Sequence, residues 1–150
     1  MFIFQFEKIL SIKSKLLDDK MIKISMLEDK IKSLKREKYE LNMENRLRRE
    51  KIFRILNSEN PDRNMIVFLG ELAQKIDENI EKIQEEIEFL SREKIKLIEE
   101  AKSLLKEKKR LERLKDRRFE EYRIELTRSE TRFLDEITST KVASRYINGS

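Results

Sequence analysis

The sequence has no cysteine and no histidine, and only two glycines and one proline in 150 residues. Without cysteine, a disulfide framework, a thiolate nucleophile and a cysteine zinc cluster are all excluded. Without histidine, the commonest general base and the commonest nitrogen ligand for metals are missing. Gly70 and Gly149 are too few to build a phosphate-binding loop. We therefore predict a protein that is not an enzyme, with no catalytic residues, no metal site and no cofactor.

Long apolar runs are also missing. No stretch of about 18 apolar residues occurs, so no integral membrane segment is expected. The N-terminal residues lack the basic region and the longer apolar core of a secretory signal. These features predict a cytoplasmic protein.

Charged residues, in contrast, make up 43% of the chain, and the net charge is +5. Residues 102–118 contain nine basic and three acidic residues, whereas residues 71–100 contain ten acidic and five basic residues. The basic block is either the solvated face of a helix or a surface that docks on an acidic protein. Because acids interrupt it and no aromatic residues are set among its cations, we expect no nucleic-acid binding.

A heptad pattern dominates the second half of the chain. Alternating steps of four and three residues, starting at Leu69, give a series of positions of which only two are polar. A 3.5-residue repeat of this length is typical of a left-handed coiled coil. The positions are Leu69, Ala73, Ile76, Ile80, Ile83, Ile87, Leu90, Lys94, Leu97, Ala101, Leu104, Lys108 and Leu111.

The first half carries a weaker heptad pattern that is interrupted by polar residues. Lys38, Asn45 and Arg48 occupy positions that should face the partner helix, and they either weaken the pairing locally or specify its register. The apolar members are Leu10, Leu17, Ile24, Leu27, Ile31, Leu34, Leu41, Ile52 and Ile55.

One cluster of helix breakers, at residues 57–64, separates the two patterns. Within it, Asn60 suits a helix N-cap and Pro61 the first helical position. A short connection makes two helices antiparallel neighbours. We predict an all-α fold in which residues 1–150 form one long two-helix antiparallel coiled-coil hairpin. Helix 1 should span about residues 2–56, the turn about residues 57–64, and helix 2 about residues 65–146.

The two predicted helices differ in length. Folding about residue 60 places Phe2 beside Phe119 and leaves helix 2 without an internal partner from Glu120 to about Tyr146. An unpaired helix with this many apolar residues either frays or binds a partner. We therefore expect a longer, projecting C-terminal helix that binds another protein.

Short motifs resemble one known family. The stretch FQFEKILSIK at residues 4–13 resembles the start of the flagellar export family FliJ, in which a Phe-x-Phe element precedes a Glu-Lys-hydrophobic-Leu run. EKKRLERLK at residues 107–115, EYR at 121–123 and RSETRFLDE at 128–136 are similar to that family's second helix and tail. The resemblance spans nearly the whole chain.

The resemblance implies the central stalk of a type III export ATPase, comparable with the γ subunit of rotary ATPases. Such a stalk promotes the activity of a hexameric ATPase, and contacts the cytoplasmic domain of the export gate and the export chaperones. We expect this chain to be a monomer when free. It is cytoplasmic and peripherally associated with the inner-membrane export apparatus. The ring-binding residues implied for this chain are Phe2, Phe4, Phe6, Tyr122, Phe133, Leu134 and Ile137.

The resemblance also implies a gate-binding patch after the turn, formed by Phe68, Leu72 and Ile76. Ile76 belongs to the heptad pattern, so a role in packing is the alternative for this patch. Two other functions stay open for the chain: a structural coiled-coil tether or scaffold unrelated to export, and a homo-oligomer in which two hairpins bury each other's overhangs. The sequence does not distinguish a flagellar from an injectisome system.

Overall fold

The computed structural model describes residues 1–148, which form two long helices packed against each other. Helix α1 runs over Glu7–Leu56 and has 50 residues. Helix α2 runs over Arg63–Asn148 and has 86 residues. No β-strand occurs in the described range, so the all-α class predicted from the sequence is confirmed.

The chain divides into two compact units. The central unit consists of residues 17–102, and the terminal unit combines Met1–Leu16 with the chain from Ser103 onward. Each unit contains a segment of α1 and a segment of α2, so each buries apolar surface of both helices.

The core of the central unit is apolar and comes from both helices. Ile31 of α1 is buried with Ile87 and Leu90 of α2. Leu27, Leu34 and Ile83 pack against them and are partly buried. In this unit, every heptad position identified in the sequence is buried or half-buried. The 3.5-residue pattern therefore identified the side chains that leave water.

Asn45 is a buried polar residue in the central unit, with 2% of its surface exposed. Its side-chain amide donates to the backbone carbonyl of Ala73 at 2.9 Å and to Asp77 Oδ1 at 2.8 Å. Its carbonyl oxygen accepts a long hydrogen bond from Arg48 at 3.4 Å. Both ends of the amide are thus paired, so this polar heptad position carries little desolvation penalty. Because a slip of either helix would break these bonds, the structure favours the register-specifying role for Asn45.

Ion pairs connect the two helices along the central unit. Along the series of pairs, the residue numbers on α2 decrease as the residue numbers on α1 increase. The pairs are Lys20–Glu100 at 2.5 Å, Glu28–Lys94 at 3.3 Å, Lys30–Glu86 at 3.6 Å and Arg49–Asp77 at 3.0 Å. The ammonium of Lys20, which donates to Glu100, holds the pKa of that carboxyl below its usual value. The contribution of this pair to stability is present at neutral pH and is lost as the pH falls through that lowered pKa.

The N-cap of α2 differs from the prediction. Asp62 caps the helix, whereas the sequence pointed to Asn60. The amide of Met65 donates to Asp62 Oδ1 at 3.2 Å, and the amide of Ile66 donates to the Asp62 carbonyl at 3.1 Å. A carboxylate at the N-cap both satisfies a free amide and lies at the positive end of the helix dipole, so Asp62 is preferred there.

The start of α1 also requires a correction. The predicted helix began at about residue 2, but α1 begins at Glu7, and residues 1–6 are not helical. In this segment Phe4 is buried, and Phe2 packs on aromatic rings of α2. Burial of aromatic side chains is therefore favoured over a helix that starts one and a half turns earlier.

We expect Ile87→Ala to lower the free energy of unfolding by about 2–5 kcal/mol, because removing buried methyl groups loses apolar burial and leaves a cavity. The matched control is Ile95→Ala on the same helix, where the side chain is exposed. It should change stability by less than about 0.5 kcal/mol. Urea titrations followed by far-ultraviolet circular dichroism measure both changes. Equal losses from the two variants would contradict the burial pattern of α2.

Candidate functional site

An aromatic cluster joins the N-terminal segment to α2 within the terminal unit. The ring of Phe2 meets Phe119 edge to face, with centroids 5.3 Å apart, and lies 5.7 Å from the ring of Tyr122. The rings of Phe4 and Phe6 meet edge to face at 5.8 Å. The predicted neighbourhood of Phe2 and Phe119 is confirmed. Of the residues implied for ring binding, the structure brings four together here.

Backbone and ionic contacts hold this segment at the start of α1. The amide of Glu7 donates to the Phe4 carbonyl at 3.2 Å, which makes a turn directly before the helix. The carboxylate of Glu7 lies 2.7 Å from the ammonium of Lys115 on α2. Lys13 and Glu107 form a second pair between the helices at 2.7 Å. The acid in the first turn of α1 therefore complements the helix dipole and also ties this turn to α2.

The rings of the cluster differ in accessibility. Phe4 is 7% exposed, so its buried ring stabilises the segment. Phe2, Phe6 and Tyr122 are half-buried and keep part of each ring at the surface. Together with Arg118, Glu121 and Glu125, the segment lines an open groove of about 470 Å³. The groove offers aromatic surface with charges of both signs at its rim.

Beyond Tyr122, α2 continues as an exposed helix. Every residue from Arg123 to Ile147 is exposed. This part of the helix nonetheless carries large apolar side chains, and we call it the exposed helix end. Those side chains are Ile124, Leu126, Phe133, Leu134, Ile137, Val142, Tyr146 and Ile147.

The other three residues implied for ring binding lie on the exposed helix end. Phe133 is 62% exposed, and Leu134 and Ile137 are also exposed. Ile137 follows Phe133 by four residues and Leu134 by three, so the three side chains share one side of the helix. Phe133 is eleven residues beyond Tyr122, or about 16 Å along the helix axis. They therefore form a second apolar patch, separate from the aromatic cluster.

Several polar contacts on the exposed helix end stay within the helix. Arg132 pairs with Glu125 at 2.8 Å, and the Thr127 hydroxyl donates to the Arg123 carbonyl at 3.0 Å. Thr131 and Thr140 donate in the same way to carbonyls four residues earlier. These bonds join residues of the same helix and leave the apolar patch uncovered.

The patch implied for gate binding lies in the first turns of α2, in the central unit. Phe68 is 56% exposed, whereas Leu72 and Ile76 are half-buried. Leu69, the next residue after Phe68, is buried and belongs to the heptad pattern. Phe68 therefore presents its ring to solvent, while Leu72 and Ile76 also contribute to packing.

Two surface residues of the aromatic cluster were missed in the sequence. Ile3 is 80% exposed beside the aromatic cluster, and Phe119 contacts Phe2, yet neither was assigned to the site. The placement of Phe2 near Phe119 was the signal that could have identified Phe119. Nothing in the sequence distinguished the outward direction of Ile3 from the inward direction of Phe4.

Over the described range, neither helix contains an apolar stretch long enough to cross a membrane. Comparisons of the chain with known protein families, with curated proteins and with solved structures found no match.

We expect Phe4→Ala to accelerate amide hydrogen exchange at Glu7 and Leu10 at least about tenfold, because loss of a buried phenyl ring destabilises the segment that it anchors. Ile3→Ala is the matched control, since the neighbouring Ile3 side chain is exposed. It should leave exchange at both amides unchanged. Exchange measured by NMR tests both variants, and unaltered rates in Phe4→Ala would show that the segment does not depend on this ring.

Proposed function

We propose that the chain is an antiparallel two-helix coiled-coil hairpin with a projecting C-terminal helix. The support is the order of the contacts between the helices. Lys13 contacts Glu107 in the terminal unit, and Lys20 contacts Glu100 and Arg49 contacts Asp77 in the central unit. Burial at heptad positions of both helices supports the same arrangement.

We further propose that this hairpin is the non-enzymatic central stalk of a type III protein export ATPase. In this role the paired termini enter the pore of the hexameric ATPase and promote its activity. The observation that carries the proposal is the terminal unit, in which an aromatic cluster lies next to an exposed apolar helix end. This unit contains all the ring-binding residues that the resemblance to the FliJ family implies.

The physical reason is the cost of exposed apolar surface on an isolated helix. A single helix in water is only marginally stable, and most helical stability in proteins comes from packing. The exposed helix end carries Phe133 and Leu134 in solvent, with β-branched residues such as Thr138, Thr140 and Val142 that are not strong helix formers. Insertion into a ring would bury this apolar surface and stabilise the helix at the same time.

The proposal includes further partners and a location. Phe68, with Leu72 and Ile76, contacts the cytoplasmic domain of the export gate, and the protein also handles export chaperones. It binds no nucleic acid and is cytoplasmic, peripherally associated with the inner-membrane export apparatus. A structural tether or scaffold unrelated to export is the alternative, but a spacer has little use for apolar residues on an exposed helix end.

The stalk proposal predicts that the chain stimulates ATP hydrolysis by a hexameric type III export ATPase, with saturation near one chain per hexamer. Combining Phe133→Ala, Leu134→Ala and Ile137→Ala should weaken the stimulation at least about tenfold, because these side chains would be buried in the complex. The matched control is Phe89→Ala with Ile95→Ala, two exposed apolar residues of α2 in the central unit.

Helicity of both variants is checked by circular dichroism. The control variant should stimulate hydrolysis like the unmodified chain. No stimulation and no co-elution of the unmodified chain with the ring would reject the stalk and favour the tether. Equal loss in both variants would reject the assignment of binding to the exposed helix end.

The gate proposal predicts that Phe68→Ala with Leu72→Ala weakens binding to the cytoplasmic domain of an export gate at least about tenfold, since exposed aromatic residues often dominate binding energy. The control is Val67→Ala, which changes the exposed neighbour of Phe68. Titration calorimetry measures binding, and thermal melting measures folding. A large loss of thermal stability in the double variant would assign these residues to the core instead.

A further inference from the structure

A row of exposed residues borders the buried side of α1 in the central unit. Each member comes directly after a heptad position of α1, so the row runs beside the apolar contact between the two helices. The row contains three cations and two aromatic rings, and it contains no acid. Its members are Lys35, Tyr39, Asn42, Arg46, Arg49 and Phe53, all exposed. We call it the basic-aromatic row.

An acidic row on α2 borders the same contact from the other helix. Its members, which also come directly after heptad positions, are Asp77, Glu81 and Glu88, all exposed. Arg49 donates to both carboxylate oxygens of Asp77, at 3.3 and 3.0 Å, so the two rows lie on the same side of the helix pair. The two rows are therefore the walls of one groove within the central unit, with a basic wall on α1 and an acidic wall on α2.

The aromatic rings give this groove apolar surface. Phe53 is 66% exposed and Tyr39 is 65% exposed. A cavity of about 480 Å³ lies beside Phe53, and its lining includes Arg46, Asp77 and the buried Asn45. The two rings are fourteen residues apart, which is about 21 Å along α1. A partner that covers both rings would remove apolar surface from water along this length, and that burial is favourable.

Most charges of the two walls are not used by the helix pair itself. Arg49 with Asp77 is the only ion pair between the two rows in the described part of the chain. Lys35, Glu81 and Glu88 form no ion pair there, and Arg46 reaches only Glu50 at 3.7 Å. A membrane or a nucleic acid is a poor partner for the groove, because its negative charges would also lie against the acidic wall.

We propose that this groove binds one helix of a partner protein, which lies beside α1 and α2 as a third helix. Charge complementarity selects a helix with apolar residues toward Tyr39 and Phe53, acidic residues along its edge against α1 and basic residues along its edge against α2. Both rows repeat at steps made of three and four residues, and the side chains on one side of a helix repeat in the same way.

The groove is separate from the patch proposed for gate binding. Phe68 and Leu72 come directly before heptad positions of α2, whereas Asp77 comes directly after one. Leu72 and Asp77 are five residues apart, which is about 140° around the helix, with the heptad positions Ala73 and Ile76 between them. The third-helix proposal therefore goes beyond the stalk function and does not depend on it.

A synthetic helical peptide of about four heptads is the probe for the groove, long enough to cover the row of about 27 Å. It carries leucine at its apolar positions, glutamate along one edge and lysine along the other. Two comparison peptides carry glutamate on both edges or lysine on both edges. We expect the mixed-edge peptide to bind the purified full-length chain at least about tenfold more tightly than either, because each comparison peptide places like charges against one wall.

Fluorescence anisotropy of the labelled peptides at about 0.1 M NaCl measures the three affinities, since screening is then still incomplete at contact distances. Equal or tighter binding of either comparison peptide would overturn the proposal, and so would absence of binding by the mixed-edge peptide.

Alanine variants locate the contact. Tyr39→Ala with Phe53→Ala should weaken binding of the mixed-edge peptide at least about tenfold, because exposed aromatic residues often dominate binding energy. The matched control is Met43→Ala with Leu47→Ala, two exposed apolar residues of the same stretch of α1 that lie outside the row. It should bind like the unmodified chain, and circular dichroism checks that both variants keep their helicity. Equal loss in the two variants would overturn the assignment to the groove.

Charge reversal tests the basic wall. Lys35→Glu with Arg46→Glu makes both walls acidic, so this variant should prefer the peptide with lysine on both edges over the mixed-edge peptide. Arg36→Glu with Lys51→Glu changes the net charge by the same amount outside the row and should keep the original preference. A preference that the first variant leaves unchanged would overturn the proposal.

Three other occupants give different results. Self-association of the unmodified chain in sedimentation velocity, lost in the Tyr39 and Phe53 alanine variant, would assign the groove to a second copy and overturn the proposal. Binding of anionic vesicles or of a DNA oligonucleotide, lost in the Lys35 and Arg46 charge-reversal variant and without binding of the mixed-edge peptide, would overturn it as well.

Discussion

Burial of apolar heptad positions between α1 and α2 is the interaction on which the rest of the structure depends. A chain in which 43% of residues are charged has too little apolar surface for a globular core. Its apolar side chains can leave water only along a narrow stripe of each helix. Ile31, Ile87 and Leu90 show this arrangement, because a residue of α1 and two residues of α2 form one buried cluster. Charged residues elsewhere on the helices can then stay hydrated.

Polar residues refine this apolar pairing. The apolar heptad positions alone allow neighbouring registers, since a slip by one heptad again places apolar residues opposite one another. Asn45 resists such a slip, because its amide donates to the Ala73 carbonyl and to Asp77 on α2. Arg49 also pairs with Asp77 at 3.0 Å, so one carboxylate connects two residues of α1 to α2. The polar residues that interrupt the apolar pattern therefore give the helix pairing a specific register.

In the terminal unit, burial of apolar side chains between the helices covers only part of α2. The first six residues of this unit form a non-helical aromatic segment, and Phe2 contacts Phe119 and Tyr122 of α2. Beyond this contact α2 has exposed apolar residues such as Phe133 and Leu134. Surface of this kind on a helix is typical of a binding site. The interaction that holds the helices together is thus left incomplete at one end of α2, where the proposed partner would complete it.

The sequence by itself determined the two helices, the single break around Pro61, the heptad positions that are buried and the neighbourhood of Phe2 and Phe119, because helical period and chain connectivity suffice for these features. Only the tertiary structure decided that residues 1–6 leave the helix, that Asp62 caps α2, that Phe4 is buried beside exposed Ile3 and that Asn45 is satisfied across the helices. Each of these depends on the position of a side chain or backbone group relative to particular neighbours. A one-dimensional pattern records the spacing of residues along a helix, but not the atoms that they meet.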